Sequence, residues 1–304
     1  MGDLLVVGSV ALDSVQTPFG KVEDVLGGSA TFFSYAASFF TRVRLVATIG
    51  DDFPAAHVVL LRERGVDVTG LTQAHGRTFR WSGRYGYDLN EAQTLDTQLN
   101  VFAEFRPSLG DGLRRVPYVF LANIDPELQL DVVTQMAERP RLVALDTMNF
   151  WIQGKRPALR RVLREVDVIT INDAEARQLA EEPNLVKAAR VIASMGPRIV
   201  VIKRGEYGAV LVADGAFFIV PAFPLESVYD PTGAGDTFAG GFMGYLAFRD
   251  RTDAATVRRA MVYGSVMASF TVEDFSLNRL IRLDAREIDR RYKEFEDLIR
   301  LERE

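Results

Sequence analysis

The chain has 304 residues, of which 48% are apolar and 25% are charged, and its formal net charge is −5, as is typical of a globular protein of one or two domains. It has no cysteine and two histidines, His57 and His75, which excludes disulfides and thiol chemistry and disfavours cysteine-based metal centres and a Ser–His–Asp triad. Lys and Arg are spread along the whole chain and no apolar stretch reaches about 18 residues, so we expect a cytoplasmic protein without a nucleic-acid or membrane partner.

Short β-branched segments alternate along the chain with segments of helical periodicity. Seven strands are predicted at residues 4–10, 43–49, 118–122, 141–146, 168–172, 199–203 and 210–213. A helix is predicted over residues 54–64, with Pro54 at its start and Gly65 just beyond its end. This alternation indicates an α/β fold, with a doubly wound, mostly parallel sheet and helices on both faces. We expect one domain over residues 1–304, ending in a docking helix over 284–304.

Two stretches interrupt this alternation. Residues 14–26 form a short polar excursion after the first strand, and residues 77–106 alternate polar and aromatic residues without a helical period. Insertions of this kind commonly act as lids or binding loops, so a small β lid is predicted, to which the short first stretch contributes little. The alternative is a surface hairpin without function.

The segment from Tyr229 to Phe242 carries the clearest chemical pattern. Its sequence, YDPTGAGDTFAGGF, lies between a strand-like run at 217–220 and an apolar helical pattern. The proline and glycines turn the chain so that consecutive N–H groups point into one concavity at a helix start, where the dipole adds about half a positive charge. We therefore predict an oxyanion site formed by Gly233, Ala234 and Gly235.

Asp236 follows this anion site and distinguishes it from common nucleotide-binding loops. A dinucleotide fingerprint needs glycine where Phe238 stands, and no P-loop sequence occurs in the chain. A carboxylate beside an anion site suits phosphoryl transfer, in which Asp236 accepts the proton of the attacking hydroxyl while the amides stabilise the γ-phosphoryl oxygens. The helix dipole predicts a low pKa for this base. The alternative is that Asp236 is only an N-cap.

Residues 230–238, with the sequence DPTGAGDTF, resemble the signature of the ribokinase-like (PfkB) carbohydrate kinase family. Further segments resemble elements of that family, in the same order, at residues 8–13, 27–31, 50–53, 172–175 and 203–209. The resemblance implies a ribokinase-like fold, ATP and Mg²⁺ as cofactors, and transfer of the γ-phosphoryl group of ATP to a hydroxyl of a small sugar.

The resemblance also assigns the acceptor side of the site. Asp13, at the end of the predicted first strand, corresponds to the family's substrate-hydroxyl Asp, and Gly27 and Gly28 allow close approach of the backbone to the substrate. The alternatives are a turn residue and an ordinary tight turn. Phe32 stands where the family usually has a polar Asn, so either an apolar substrate surface replaces a hydroxyl contact or this ring belongs to the core.

The donor side is assigned in the same way. Asn172 and Glu175 resemble the family's N-x-x-E motif, so Mg²⁺ is expected near Glu175 through water, and no direct metal ligand is assigned. The same pair has the pattern of a capping box. Gly205 and Gly208 let their loop run under the nucleotide, and Lys203 either reaches a phosphate or sits on a solvated strand end.

Three functions stay open at this point. A sugar kinase is favoured by the resemblance, and a nucleoside kinase by Phe32 and by lid aromatics such as Trp81 and Tyr85. A catalytically silent sugar or nucleotide sensor is disfavoured by the intact Asp236 and anion site. The resemblance further implies a monovalent cation such as K⁺ near Asp230 and a homodimer formed through the lid.

Overall fold

The computed structural model describes residues 2–300. Its strands are β1 (Leu4–Val7), β2 (Ala11–Thr17), β3 (Gly20–Gly27), β4 (Val43–Ile49), β5 (Asp67–Gln73), β6 (Arg80–Tyr85), β7 (Ala92–Gln98), β8 (Tyr118–Leu121), β9 (Leu142–Asp146), β10 (Val168–Asn172), β11 (Ile199–Lys203), β12 (Ala209–Ala213) and β13 (Ala216–Val220). Its α-helices are α1 (Ser29–Ala37), α2 (Ala55–Glu63), α3 (Pro126–Gln135), α4 (Asn149–Gly154), α5 (Arg156–Leu163), α6 (Asp173–Ala180), α7 (Leu185–Ala193), α8 (Ala234–Arg249), α9 (Ala254–Thr271), α10 (Asn278–Ile281) and α11 (Ala285–Leu298). Two 3₁₀-helices span Asn100–Glu104 and Gly205–Tyr207.

The main sheet has nine strands in the order β13-β12-β11-β10-β9-β8-β1-β4-β5. Neighbours from β11 to β5 pair in parallel, whereas β12 pairs antiparallel with both β11 and β13. The fold is therefore a mostly parallel α/β sheet, and the carboxyl ends of β9, β10 and β11 meet at one edge. That edge is where ligands bind in open sheets of this kind.

The strands of this sheet are apolar throughout because both faces are covered. Along β1, Leu4 and Val6 face one apolar cluster together with α1, α8 and α9, while Leu5 and Val7 face the other cluster. All four side chains have no exposed area. Burial on both faces accounts for the continuous hydrophobic sequence of β1.

A second sheet of four strands, in the order β3-β2-β6-β7, forms the lid. Strands β2 and β6 pair in parallel at its centre, with Leu12 opposite Arg80 and Gln16 opposite Arg84. Half of this lid sheet comes from the short first excursion, so the prediction that this stretch contributes little is wrong. The reason is that a two-residue turn is enough to join β2 and β3 into a hairpin.

The loop after β4 fixes the start of the lid strand β6. Asp52 accepts hydrogen bonds from the Thr78 N–H and hydroxyl, both at 2.7 Å, and its other oxygen lies 2.7 Å from Arg80 Nη1. These charge-assisted contacts hold the lid to the sheet at its base. The segment at residues 50–53, which resembles a family element, therefore attaches the lid to the main sheet through Asp52.

The predicted seven strands all occur, with ends shifted by a few residues. The first ends at Val7, and the helix predicted over 54–64 is α2. Strand β5 was not predicted, because its alternating polar residues reflect an edge position. The predicted terminal helix is α11, and residues 301–304 of that prediction lie outside the described residues. Between residues 2 and 300, no helix is both long enough and apolar enough to cross a membrane.

Candidate active site

The start of α8 presents unpaired backbone donors toward the carboxyl edge of the sheet. The Ala234 N–H donates to Pro231 O and the Thr237 N–H to Gly233 O. Within residues 2–300, the N–H groups of Gly233, Gly235 and Asp236 have no such acceptor. Three free donors at the positive end of a 16-residue helix form a ready anion site. The prediction that the Ala234 N–H belongs to this site is wrong, because that group is already bonded to Pro231 O, and the Asp236 N–H takes its place.

Gly233 is the hinge of this anion site, and Phe32 lies directly against it. Gly233 has φ +75°, and a Cβ added there would lie 2.4 Å from Phe32 Cγ and 2.5 Å from two further ring atoms. The ring of Phe32 is only 2% exposed and belongs to the apolar core. Phe32 therefore lies beneath the anion site and belongs to the core, which was one of the two interpretations of this residue. Almost none of its surface is left for contact with a substrate.

Asp236 lies in the first turn of α8, beside an ion pair that joins two strand ends. Lys203 Nζ, at the end of β11, lies 2.7 Å from Asp146 Oδ2, at the end of β9. The Asp146 and Lys203 side chains are 6% and 17% exposed. Lys203 is therefore not on a solvated strand end, because burial and a carboxylate partner hold its ammonium group within the site.

The pKa of Asp236 is raised to about 7, first by burial and then by the negative charge of Asp146. The positive charge of Lys203 lowers this pKa but does not cancel the two effects. The prediction of a low pKa from the helix dipole is thus wrong. The partial removal of the carboxylate from water outweighs the partial charge of the helix end. Burial lowers the pKa of Lys203, but the charges of Asp146 and Asp236 raise it overall, so Lys203 stays cationic.

Asn172 and Glu175 form the capping box that their spacing predicts. The Glu175 N–H donates to Asn172 Oδ1 at 2.7 Å, and the Asn172 N–H donates to Glu175 Oε2 at 2.9 Å. Burial, followed by the charge of Asp146, raises the pKa of Glu175 to about 7. The capping box therefore fixes a carboxyl group within electrostatic reach of the Lys203–Asp146 pair.

Asp146 is a site residue that the sequence analysis missed. Its Oδ2 also accepts a hydrogen bond from Thr170 Oγ1 at 2.7 Å. The available signal was its position as the last residue of a predicted strand, since carboxylates at that end of parallel strands point toward the ligand edge.

Asp13, Gly27 and Gly28, which are predicted to form the acceptor side, lie together in the structure. Asp13 lies within β2 of the lid sheet, and not at the end of the first strand as predicted, because β1 ends at Val7. Asp13 Oδ2 accepts the Gly28 N–H at 3.3 Å, and a Cβ on Gly27 would lie 1.9 Å from the same oxygen. Burial, and then the charges of Asp230 and Asp236, raise the pKa of Asp13 to about 7.

Tyr85 connects the lid sheet to the segment just before the anion site. It is the last residue of β6, and its hydroxyl lies 3.3 Å from Thr232 Oγ1, just before the anion site. Burial raises the pKa of Tyr85 to about 12, and the charges of Asp230 and Asp13 act in the same direction. From the sequence, Tyr85 is one of the lid aromatics that favour a nucleoside kinase, but its place in the site depends on how the lid sheet folds over the main sheet.

The loop after β11 approaches the lid from the other side. Gly205 and Gly208 have φ +53° and +82°, and a Cβ on Gly208 would lie 2.1 Å from Val220 O. Glycine is thus required at residue 208 by both conformation and space. Among the described residues, no group of three or more His, Asp or Glu side chains is arranged to hold a metal ion.

These residues meet in the region between the lid sheet and the start of α8, which we call the cleft and which contains the anion site, the mostly buried Lys203 cation and several carboxyl groups. Asp236 is near both Glu175 and Asp13, since its charge raises the pKa of each of these carboxyl groups. Such an arrangement suits transfer of an anionic group to a hydroxyl.

Comparison with known proteins gives four consistent findings. A family model described as pfkB family carbohydrate kinase matches residues 1–281. A cytidine kinase of Thermococcus kodakarensis is 32% identical over 254 residues, which are 80% of this chain and 88% of that protein. A nucleoside kinase of Methanothermobacter thermautotrophicus is 26% identical over 286 residues, 90% of each chain. An E. coli protein described as a ribokinase II, solved in complex with ATP and Mg²⁺, has a TM-score of 0.79 at 18% identity, covering 97% of this chain and 100% of its own.

Proposed function

The chain belongs to the pfkB family of carbohydrate kinases and is a kinase, and from this premise we propose that it transfers the γ-phosphoryl group of ATP to a hydroxyl of a nucleoside. The observation that carries the proposal is the Asp236 carboxyl group in the first turn of α8, beside the free N–H donors of that helix and near enough to Asp13 for its charge to raise the pKa of Asp13. Two relatives named as a cytidine kinase and a nucleoside kinase favour a nucleoside over a free sugar.

On the donor side, we assign the phosphate contacts to three groups. The free N–H groups of Gly233, Gly235 and Asp236 bind the oxygens of the transferred phosphoryl group, and the Lys203 ammonium balances its charge. The loop through Gly205 and Gly208 lies under the remaining phosphates. The three unpaired donors at the start of α8 fit an anionic partner such as a polyphosphate.

Mg²⁺ fits the same side through its preference for oxygen donors. The Glu175 carboxyl group, fixed by the capping box, is placed to hold water molecules of the metal, and direct ligation is not required. When bound, Mg²⁺ neutralises charge on the phosphate oxygens.

On the acceptor side, Asp13 accepts hydrogen bonds from vicinal hydroxyls of the ribose. Gly27 leaves the space in which this carboxylate lies, and Gly28 fixes it through its N–H. Tyr85 covers the site from the lid. Phe32 supports the anion site from below and makes no substrate contact in this proposal.

The reaction is an in-line displacement in which the acceptor oxygen forms a bond to the γ-phosphorus and the bond to the bridging oxygen of ADP breaks. Asp236 takes the proton of the attacking hydroxyl, and the α8 donors stabilise charge on the equatorial oxygens. A pKa of about 7 keeps a large part of Asp236 ionised near neutral pH while making it a stronger base than an ordinary aspartate.

Two further assignments complete the proposal. K⁺ binds near Asp230, which is 1% exposed and accepts the Thr232 N–H at 2.9 Å; equal rates with and without K⁺ would remove this assignment. A homodimer forms through the lid sheet, whose edge strand β7 is exposed along its length. Sedimentation of a single monomeric species at micromolar concentration would remove the second assignment.

The test is ADP release with ATP and Mg²⁺ across a panel of nucleosides, free sugars, sugar phosphates and polyols. A nucleoside, with cytidine as the first choice, should give the strongest response. A free sugar as the only responder would keep the kinase chemistry and replace the nucleoside by a sugar. No response above a blank of the Asp236→Asn variant would overturn the proposed acceptor classes.

A further inference from the structure

The lid hairpin, defined as β6, β7 and the turn between them (residues 80–98), contacts the donor side of the cleft as well as the acceptor side. Its turn residue Asn90 meets the donor loop, defined as residues 203–208. Asn90 Nδ2 donates to Glu206 Oε1 at 3.2 Å, and the Glu206 N–H donates to Asn90 Oδ1 at 3.3 Å. The two residues therefore form a reciprocal pair of hydrogen bonds across the cleft.

Two further residues, Gly205 and Asp88, determine the position of the Asn90 side chain. A Cβ on Gly205 would lie 1.9 Å from Asn90 Oδ1, so a larger residue there would displace the amide from this contact. On the hairpin side, Asp88 Oδ1 accepts both the Asn90 N–H and Asn90 Nδ2 at 3.0 Å, which fixes the orientation of the side chain. Asn90 is thus held on both sides by specific contacts.

The same hairpin carries Tyr85, whose hydroxyl reaches Thr232 beside the anion site. One hairpin therefore contacts both the segment just before the anion site and the donor loop. From this geometry we infer that Asn90 is a positioning residue that latches the lid to the donor loop, so that nucleotide binding and lid closure favour each other.

The charges around Asn90 make this latch specific for an amide. Its Nδ2 lies between the carboxylates of Asp88 and Glu206 and donates to both. An aspartate at the same position has nearly the same shape but no donor, and it adds a third negative charge. Asn90→Asp therefore replaces attraction by repulsion.

Linkage requires the coupling to be reciprocal. If nucleotide in the donor loop stabilises the closed lid, closure of the lid strengthens nucleotide binding by the same factor. The nucleotide part of this inference rests on the proposed function, because it takes the donor loop to lie under ATP. The contact of Asn90 with Glu206 does not depend on that assignment.

The experiment is hydrogen exchange of the full-length protein, followed by mass spectrometry of peptides that cover residues 80–98. We compare wild type and Asn90→Asp with the control Gln93→Glu. Gln93 lies on the same hairpin and accepts Arg84 Nη2 at 2.8 Å, so the same amide-to-acid change is made away from the donor loop. Each protein is measured alone and with ADP and Mg²⁺, and the ADP affinity is measured by calorimetry.

Without nucleotide, hairpin amides of Asn90→Asp should exchange about five- to tenfold faster than those of wild type and Gln93→Glu. ADP should slow their exchange in wild type and Gln93→Glu but not in Asn90→Asp, and it should bind Asn90→Asp more weakly by a similar factor. Equal exchange in all three proteins would overturn the latch. Tighter ADP binding by Asn90→Asp would also overturn it, since Asn90 would then compete with nucleotide. Failure of ADP to bind wild type would contradict the donor side of the proposed function, while the nucleotide-free comparison would still decide the latch.

Discussion

Replacing Gly233 by alanine disturbs the anion site through two effects that the structure separates. The backbone at Gly233 has φ +75°, a left-handed conformation that costs a non-glycine residue about 1–2 kcal/mol. The new Cβ also lies 2.4 Å from Phe32 Cγ, in a core position where relieving such overpacking typically costs about 1–3 kcal/mol. We expect Gly233→Ala to lower the free energy of unfolding by about 2–5 kcal/mol.

The assay is equilibrium urea unfolding, with Gly65→Ala as the matched control. Gly65 has φ +89° and nothing within 4 Å of the added Cβ, so this control reports the backbone cost alone. Phe32→Leu in combination with Gly233→Ala should recover part of the steric cost in a double-mutant cycle. Equal losses for Gly233→Ala and Gly65→Ala, or strict additivity in the cycle, would refute the role assigned to Phe32.

Four further predictions concern the ionisable groups of the site. Turnover should fall as the pH drops below about 7, because Asp236 must be ionised to accept a proton; a flat rate profile from about pH 6 to 8 would contradict this. The folded-state pKa of Asp236 lies above the ordinary aspartate value of 3.8, so burial of its charge costs stability as the pH rises toward 7. Urea unfolding should therefore show Asp236→Asn to be more stable than wild type at about pH 8 and similar to it near pH 4. Asp13→Asn should raise KM for the acceptor and leave ADP affinity, measured by calorimetry, unchanged; a loss of ADP affinity alone would place the acceptor elsewhere. Lys203→Met leaves the 6%-exposed Asp146 side chain without its cation and should cost about 3–5 kcal/mol in urea unfolding, which adding Asp146→Asn should partly restore.

The main sheet was predictable because its signal is local. Strands buried on both faces are continuous apolar runs, and the helix over residues 54–64 has its own start and stop residues. The capping box of Asn172 and Glu175 is equally local, since its two hydrogen bonds span three residues. Edge strand β5 lacks such a signal, because only part of it is buried.

The parts of the site that depend on distant residues were not predictable from sequence. The pKa of Asp236 depends on burial and on Asp146, which comes from another strand, so the helix position alone gave the wrong direction. Tyr85 and Asn90 reach the cleft only because β6 pairs with β2 and carries the turn across it. In the sequence, Phe32 stands where the family usually has a substrate-binding Asn. Only the structure shows that its ring packs against Gly233.

The central claim is that Asp236 accepts the proton of the acceptor hydroxyl, and Asp236→Asn tests it most directly. The variant removes the base, keeps the shape of the side chain and leaves the α8 donors and the Lys203–Asp146 pair in place. With the best acceptor of the panel, turnover should fall by about 10² to 10⁴, while ADP affinity measured by calorimetry stays nearly unchanged. Turnover close to that of wild type would contradict the assignment of Asp236 as the base.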